Sequence, residues 1–103
     1  MKVELLKLPS GRVPFREWLE SLPLSEQARV LDFVKRVADG GSRKNVKALG
    51  DGLYEMKITY RSGYRVYFGK VGNTMILIIT GGDKSSQRRD IEKAKKYWRM
   101  ANV

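Results

Sequence analysis

Three consecutive runs between residues 53 and 80 constrain the fold of this chain more than any other feature. LYEMKIT (53–59) and YRVYFGK (64–70) alternate between apolar and polar residues, as strands with one buried face do. TMILIIT (74–80) is apolar almost throughout, which is typical of a central strand covered on most sides. The connections YRSG and VGN are short and contain glycine, so the three runs predict an antiparallel meander of two hairpins.

The segments around this meander predict one further strand and three helices. VELLKL (3–8) predicts a strand that ends in the turn PSGR, and a helix is expected to begin at Pro14. A second helix is expected over 24–39, with a core-facing stripe formed by Leu24, Ala28, Leu31, Val34 and Ala38, widened by Val30 and Val37. Residues 42–52 are polar, basic and rich in glycine, and they predict a loop anchored by Val46 and Leu49.

The last helix is expected to start near Ser85, with Ile91, Ala94, Trp98 and Ala101 on one side. The order of elements is then β-α-α-β-β-β-α. This order predicts an α+β fold in which helices pack on a mostly antiparallel sheet.

The length and the missing residue types exclude several classes of protein. A chain of 103 residues is expected to form one domain over 1–103, because smaller pieces could not bury a core. It has no cysteine and no histidine, the usual metal ligands, so we expect no metal and no cofactor. No apolar run approaches the ~18–20 residues that span a bilayer, and the N-terminal region lacks the apolar core of a signal peptide. We therefore expect a cytoplasmic protein.

The charge of the chain predicts a polyanionic partner. Lysine and arginine number 21 against 11 acidic residues, which gives a formal net charge of +10. Such a field in a small protein favours nucleic acid first and an acidic protein second. A basic protein that is merely soluble is the alternative.

Strand alternation also predicts which polar side chains share a face of the sheet. If the apolar residues of the first two meander strands are buried against the helices, four polar side chains lie together on the opposite, solvent-facing side: Glu55, Lys57, Arg65 and Tyr67. Arg61 and Lys84 are expected at the rim of this face. Such a face could bind phosphate, or it could be a solvated face with weak cross-strand charge pairs.

The stretch TGGDKSSQRRD (80–90) could serve the same surface. Gly81 and Gly82 permit a sharp turn or a close approach to a ligand, and the first N–H groups of a helix favour an anion. Lys84 adds a point charge to this stretch, and Arg88 and Arg89 begin a basic helical run that could contact nucleic acid. The alternative is a plain turn and helix cap, Ser85 or Ser86, followed by a solvated basic helix.

Three of these motifs carry a resemblance to a known superfamily. LYEMKI, GYRVYF and GGDKSSQ stand in this order in the RelE/HigB superfamily of type II toxin–antitoxin toxins, and the chain resembles most closely its phage-derived addiction-module killer branch. The resemblance implies a microbial-ribonuclease-like fold and a toxin that cleaves mRNA, typically in the ribosomal A site. It also implies inhibition by a small antitoxin encoded nearby, often a helix-turn-helix protein.

The resemblance assigns roles to individual residues. Arg65 matches the arginine of the catalytic face, Lys57 matches a strand lysine, and Glu55 stands where RelE has a second lysine. Lys84 lies nearest to the family's late arginine, and Tyr97 stands in for its C-terminal tyrosine. The catalytic set implied is Arg65, Lys57, Glu55 and Lys84, and the RNA-binding set is Arg61, Tyr67, Ser85, Gln87, Arg88 and Arg89.

The expected chemistry is attack of an RNA 2′-OH on the adjacent phosphorus. Arg65 would hold the phosphate, Glu55 or Lys57 would act as the base, and Tyr67 is a candidate proton donor. Two other functions remain open at this point. One is a ParE-like relative on the same scaffold that poisons DNA gyrase, and the other is a nucleic-acid-binding domain without enzymatic activity.

Overall fold

The computed structural model describes residues 1–59, 63–81 and 86–101. Its elements in chain order are β1 (Lys2–Leu5), α1 (Pro14–Glu20), α2 (Leu24–Ala38), β2 (Val46–Gly50), β3 (Leu53–Ile58), β4 (Tyr64–Val71), β5 (Thr74–Gly81) and α3 (Gln87–Ala101), with a 3-10 turn at Arg43–Asn45. The predicted α+β class is confirmed. Among the described residues, no helix is both long and apolar enough to cross a membrane.

The five strands form one sheet in the order β1-β5-β4-β3-β2. The three neighbouring pairs from β2 to β5 are antiparallel, and two of them, β3–β4 and β4–β5, are the predicted hairpins. β1 is parallel to β5, with Val3 opposite Met75. Since β5 has a neighbour on each side, the most apolar run of the sequence does form an interior strand.

The segment 42–52 is not only the loop that its composition predicts, because it contains β2. This strand lies at the edge of the sheet, and its pairing with β3 shifts between Ala48 and Gly50. Its two partly buried apolar residues, Val46 and Leu49, are therefore three positions apart rather than two or four. The irregularity removes the period-two signal by which a strand is recognised in a sequence.

One face of the sheet packs against α1 and α2, as expected. The buried residues of this core are Phe15, Val30, Val34, Val37, Ala38, Met56, Ile58, Val66, Phe68, Met75 and Leu77. The stripe expected for α2 is wrong in part, because Leu24 is 81% and Leu31 is 45% exposed. Val30, Val34 and Val37 form an equally regular stripe at helical spacing, and the helix is rotated to bury that one.

The opposite face is covered by α3, so the expectation that it is open to solvent is wrong for most of its length. Ala94 and Trp98 of α3 pack in a second core, together with Leu6, Leu8, Leu53, Tyr67, Ile78 and Ile79. Trp98 donates a hydrogen bond from its indole Nε1 to the Asp51 carbonyl oxygen at 2.9 Å. Its ring lies directly over Gly69, where a Cβ would overlap the indole. A glycine in the middle of β4 thus lets the helix approach the sheet closely.

Candidate functional site

Two cations on neighbouring strands lie at the end of the sheet beyond the start of α3. Lys57 of β3 is directly opposite Arg65 of β4, a position that brings the two Cβ atoms to about 4.5–5.5 Å. Lys57 is exposed and Arg65 is partly exposed. Arg65 also lies opposite Gly81, the last residue of β5. The expectation that these side chains share a face within reach of each other is confirmed, and we call Lys57 and Arg65 the cation pair.

Glu55 and Tyr67 form the next cross-strand pair on the same face. Both were expected to face solvent, and this is wrong. Glu55 is only 6% exposed and Tyr67 is fully buried. The reason is α3, which lies over this row of the sheet and leaves the adjacent cation pair accessible.

Glu55 anchors the start of α3 to the sheet. Gln87, the first residue of the helix, donates a hydrogen bond from Nε2 to Glu55 Oε2 at 2.9 Å. A buried carboxylate needs such a donor, because an unpaired buried charge is very costly. Ser86 donates a hydrogen bond from Oγ to Asp90 Oδ2 at 2.7 Å, which links the residue before α3 to its first turn. The positive end of the α3 dipole is therefore held next to Glu55 and Tyr67, the cross-strand pair beside the cation pair.

The Tyr67 hydroxyl is buried without a hydrogen-bond partner among the described residues. Burial raises the pKa of Tyr67 well above its ordinary value, and the nearby Glu55 charge raises it further. The phenol therefore keeps its proton at neutral pH. Its position beneath α3 separates it from RNA at the surface, which argues against the predicted roles in proton donation and RNA binding.

A groove of about 510 Å³ lies between β2 and α3. It is lined by Lys47, Gln87, Arg88, Ile91, Glu92 and Lys95, and we call it the β2–α3 groove. Lys47 reaches this place because it lies opposite Glu55 in the sheet. Sequence reasoning missed Lys47, since only the recognition of β2 would have placed it next to Glu55.

The remaining predicted site residues do not all fall in this region. Of the predicted RNA-binding residues, Gln87 and Arg88 line the groove, whereas Arg89 is exposed on α3 outside it. Arg61, Lys84 and Ser85 lie outside the described residues.

Tyr97 is partly buried on α3, where the Lys93 ammonium lies 5.7 Å from its ring centroid. It lies ten residues after Gln87, about 15 Å further along the helix, so it does not join the cation pair. Within residues 1–59, 63–81 and 86–101, no group of three or more acidic side chains could hold a metal ion.

Fold, charge and cation pair define a small basic α+β protein with two accessible cations side by side at one end of its sheet. Residues 17–99 match the family model of the phage-derived Gp49-like proteins (DUF891), and this match includes the cation pair, Glu55 and the groove. The chain therefore belongs to the Gp49-like family, a toxin-like family of addiction modules. An uncharacterised protein of Haemophilus influenzae is 35% identical to it over 82 residues, which cover 79% of this chain and 82% of that relative. Membership of such a family implies a cognate antitoxin as partner.

Proposed function

We propose that this protein is a type II toxin of the RelE/HigB superfamily, and that it cleaves mRNA on the ribosome without a metal ion. The Gp49-like family supports the assignment as a toxin. The net charge of +10 supports an RNA substrate. The single observation that carries the nuclease assignment is the direct pairing of Lys57 with Arg65 on the accessible end of the sheet.

The cation pair suits the stabilisation of a pentavalent phosphorus. The RNA 2′-OH attacks the adjacent phosphorus, the bond to the 5′ oxygen breaks, and a 2′,3′-cyclic phosphate and a 5′-OH result. The Arg65 guanidinium can hold two phosphate oxygens through parallel hydrogen bonds. A well-placed donor of this kind is worth roughly 3–4 kcal/mol of transition-state stabilisation.

The position of Lys57 favours it over Glu55 for proton transfer: its ammonium can give a proton to the 5′ oxygen as that oxygen leaves, while solvent water takes the proton of the 2′-OH. Glu55 lies beneath α3 and one of its oxygens already accepts a hydrogen bond from Gln87. Lys57 is exposed beside Arg65, where the 5′ oxygen of the substrate can approach it. Glu55 then acts as a positioning residue, because it fixes the helix start next to the cation pair. Orientation of the substrate by the ribosome supplies the rest of the rate, so we expect purified protein to cut free RNA weakly or not at all.

The test is induction in bacterial cells, followed by mapping of mRNA 5′ ends against the reading frame. The unsubstituted protein should arrest growth and leave cuts in register with codons, and Lys57→Ala with Arg65→Ala should abolish both. Lys70→Ala is the matched control. Lys70 is an exposed cation on β4, the strand of Arg65, but it borders a different cavity, next to Phe68. Arrest that persists in the double variant, with DNA damage, would indicate a gyrase poison instead. Rapid cutting of naked RNA would contradict the dependence on the ribosome.

A further inference from the structure

We infer that the β2–α3 groove is a second RNA subsite, which binds the nucleotides next to the cleaved bond. This inference rests on the proposed nuclease function. The groove presents three cations, Lys47, Arg88 and Lys95, against one carboxylate, Glu92. Its volume is about 510 Å³ and it is open to the surface, so a single strand can enter it from the side.

The groove adjoins the cation pair through the contact between Gln87 and Glu55. Gln87 lines the groove and is hydrogen-bonded to Glu55, which lies two residues before Lys57 on the same face of β3. Two residues of a strand span only about 7 Å. A single RNA strand whose scissile phosphate lies at the cation pair can therefore place a neighbouring nucleotide in the groove.

The lining is chemically suited to a nucleotide. Lys47, Arg88 and Lys95 can contact phosphate oxygens from both walls of the groove, since the first lies on β2 and the others on α3. Ile91 is only partly exposed and offers an apolar surface on which a base can rest. Cations that follow the backbone are one part of the way in which proteins hold single-stranded nucleic acid, and Ile91 adds apolar contact in place of an aromatic stacking surface. This mixture, together with the adjoining cation pair, favours RNA over an acidic peptide.

The experiment measures the binding of a short fluorescent single-stranded RNA by anisotropy over a range of salt concentrations. All proteins carry Arg65→Ala, so that the RNA stays intact and the protein can be produced. Lys47→Ala with Lys95→Ala should raise the dissociation constant on the order of tenfold. The slope of log affinity against log salt should fall by about 1.4, which is two contacts at ~0.7 each for a single strand.

The matched control is Lys44→Ala with Lys96→Ala. It removes the same charge from exposed lysines close in sequence but outside the groove lining, and it should change affinity and slope much less. The inference would be overturned if Lys44→Ala with Lys96→Ala lost as much RNA affinity as Lys47→Ala with Lys95→Ala. It would also be overturned if the latter variant lost no affinity. Polyglutamate provides a second check. If Lys47→Ala with Lys95→Ala weakens its binding as much as the binding of RNA, the groove is a general polyanion site and the inference is overturned.

The two proposals fail in different ways. If induction gives no mRNA cuts but Lys47→Ala with Lys95→Ala selectively weakens RNA binding, the nuclease proposal fails, and the groove is an RNA-binding site but not a subsite next to a cleaved bond. If mRNA cuts are found but Lys47→Ala with Lys95→Ala binds RNA as tightly as its parent protein, only the subsite is refuted.

Discussion

The most informative single substitution is Tyr67→Phe, because it removes one buried oxygen atom and nothing else. The Tyr67 ring is fully buried between the sheet and α3, and its hydroxyl has no hydrogen-bond partner among the described residues. Phenylalanine keeps the ring and its packing. The substitution therefore isolates the free-energy cost of burying the hydroxyl.

The expected effect is an increase in stability. A buried polar group without a partner costs about 1–3 kcal/mol of desolvation, and the variant avoids this cost. In a protein of this size, 1 kcal/mol shifts the melting temperature by about 4–8 °C. We therefore expect Tyr67→Phe to melt at least about 4 °C higher at neutral pH.

The advantage should grow at alkaline pH. The pKa of Tyr67 is raised in the folded protein, first by burial and then by Glu55. Above about pH 10, where an ordinary tyrosine ionises, the unfolded chain loses this proton while the folded protein keeps it. The stability of the parent therefore falls as the pH rises, and the variant lacks this component of the loss.

Thermal denaturation followed by circular dichroism provides the measurement, with Arg65→Ala in both proteins so that they can be produced. A drop in melting temperature would refute the reasoning. It would mean that the hydroxyl donates a hydrogen bond to Glu55, an interaction worth about 1.5–3 kcal/mol. With Arg65 intact, Tyr67→Phe should still arrest growth, and loss of arrest in a stable variant would restore Tyr67 as the proton donor.

Two further substitutions test the contacts of α3. Gly69→Ala places a β-carbon where the Trp98 ring lies, so it should cost about 1–3 kcal/mol of stability. Trp98→Leu in the same chain should recover part of this loss. An unchanged melting temperature of Gly69→Ala would contradict the close packing. Gln87→Ala removes the donor to the buried Glu55 carboxylate and should cost about 1.5–3 kcal/mol in denaturant unfolding, with reduced cleavage in cells. The exposed neighbour Arg89 is the control, since Arg89→Ala should stay within about 0.5 kcal/mol of the parent. Equal stability of the Gln87 and Arg89 variants would show that Glu55 does not anchor the helix.

The sequence predicted those elements whose periodicity is unambiguous. The sequences of β3 and β4 alternate, and β5 is apolar almost throughout, so the meander and its order were predictable. β2 was not, because an edge strand with a register shift at Ala48 and Gly50 buries too little to show a pattern. The face of α2 was misplaced because the helix carries apolar residues at more positions than it can bury.

The candidate site shows a different limit. Alternation correctly placed Lys57, Arg65, Glu55 and Tyr67 on one face of the sheet. It could not say that α3 covers most of that face, because periodicity within a strand carries no information on which helix packs over it. That depends on long-range contacts such as the one between Trp98 and Gly69. Residue chemistry gave one hint, since a glycine and a tyrosine in β4 are poor choices for an open polar surface.

The burial of Glu55 changes how loss of activity at this position should be interpreted. Glu55 and Lys57 are two residues apart on one face of one strand, so replacing Glu55 disturbs both the docking of α3 and the setting of the cation pair. Loss of activity in a Glu55 variant would therefore be expected whether Glu55 is a general base or an anchor for α3. Denaturant unfolding separates the two roles, because an anchor must stabilise the docking of α3 and a general base need not. If removing the Gln87 amide lowers the stability as much as removing the Glu55 carboxylate does, the carboxylate acts by holding the helix, and the chemistry belongs to Lys57 and Arg65.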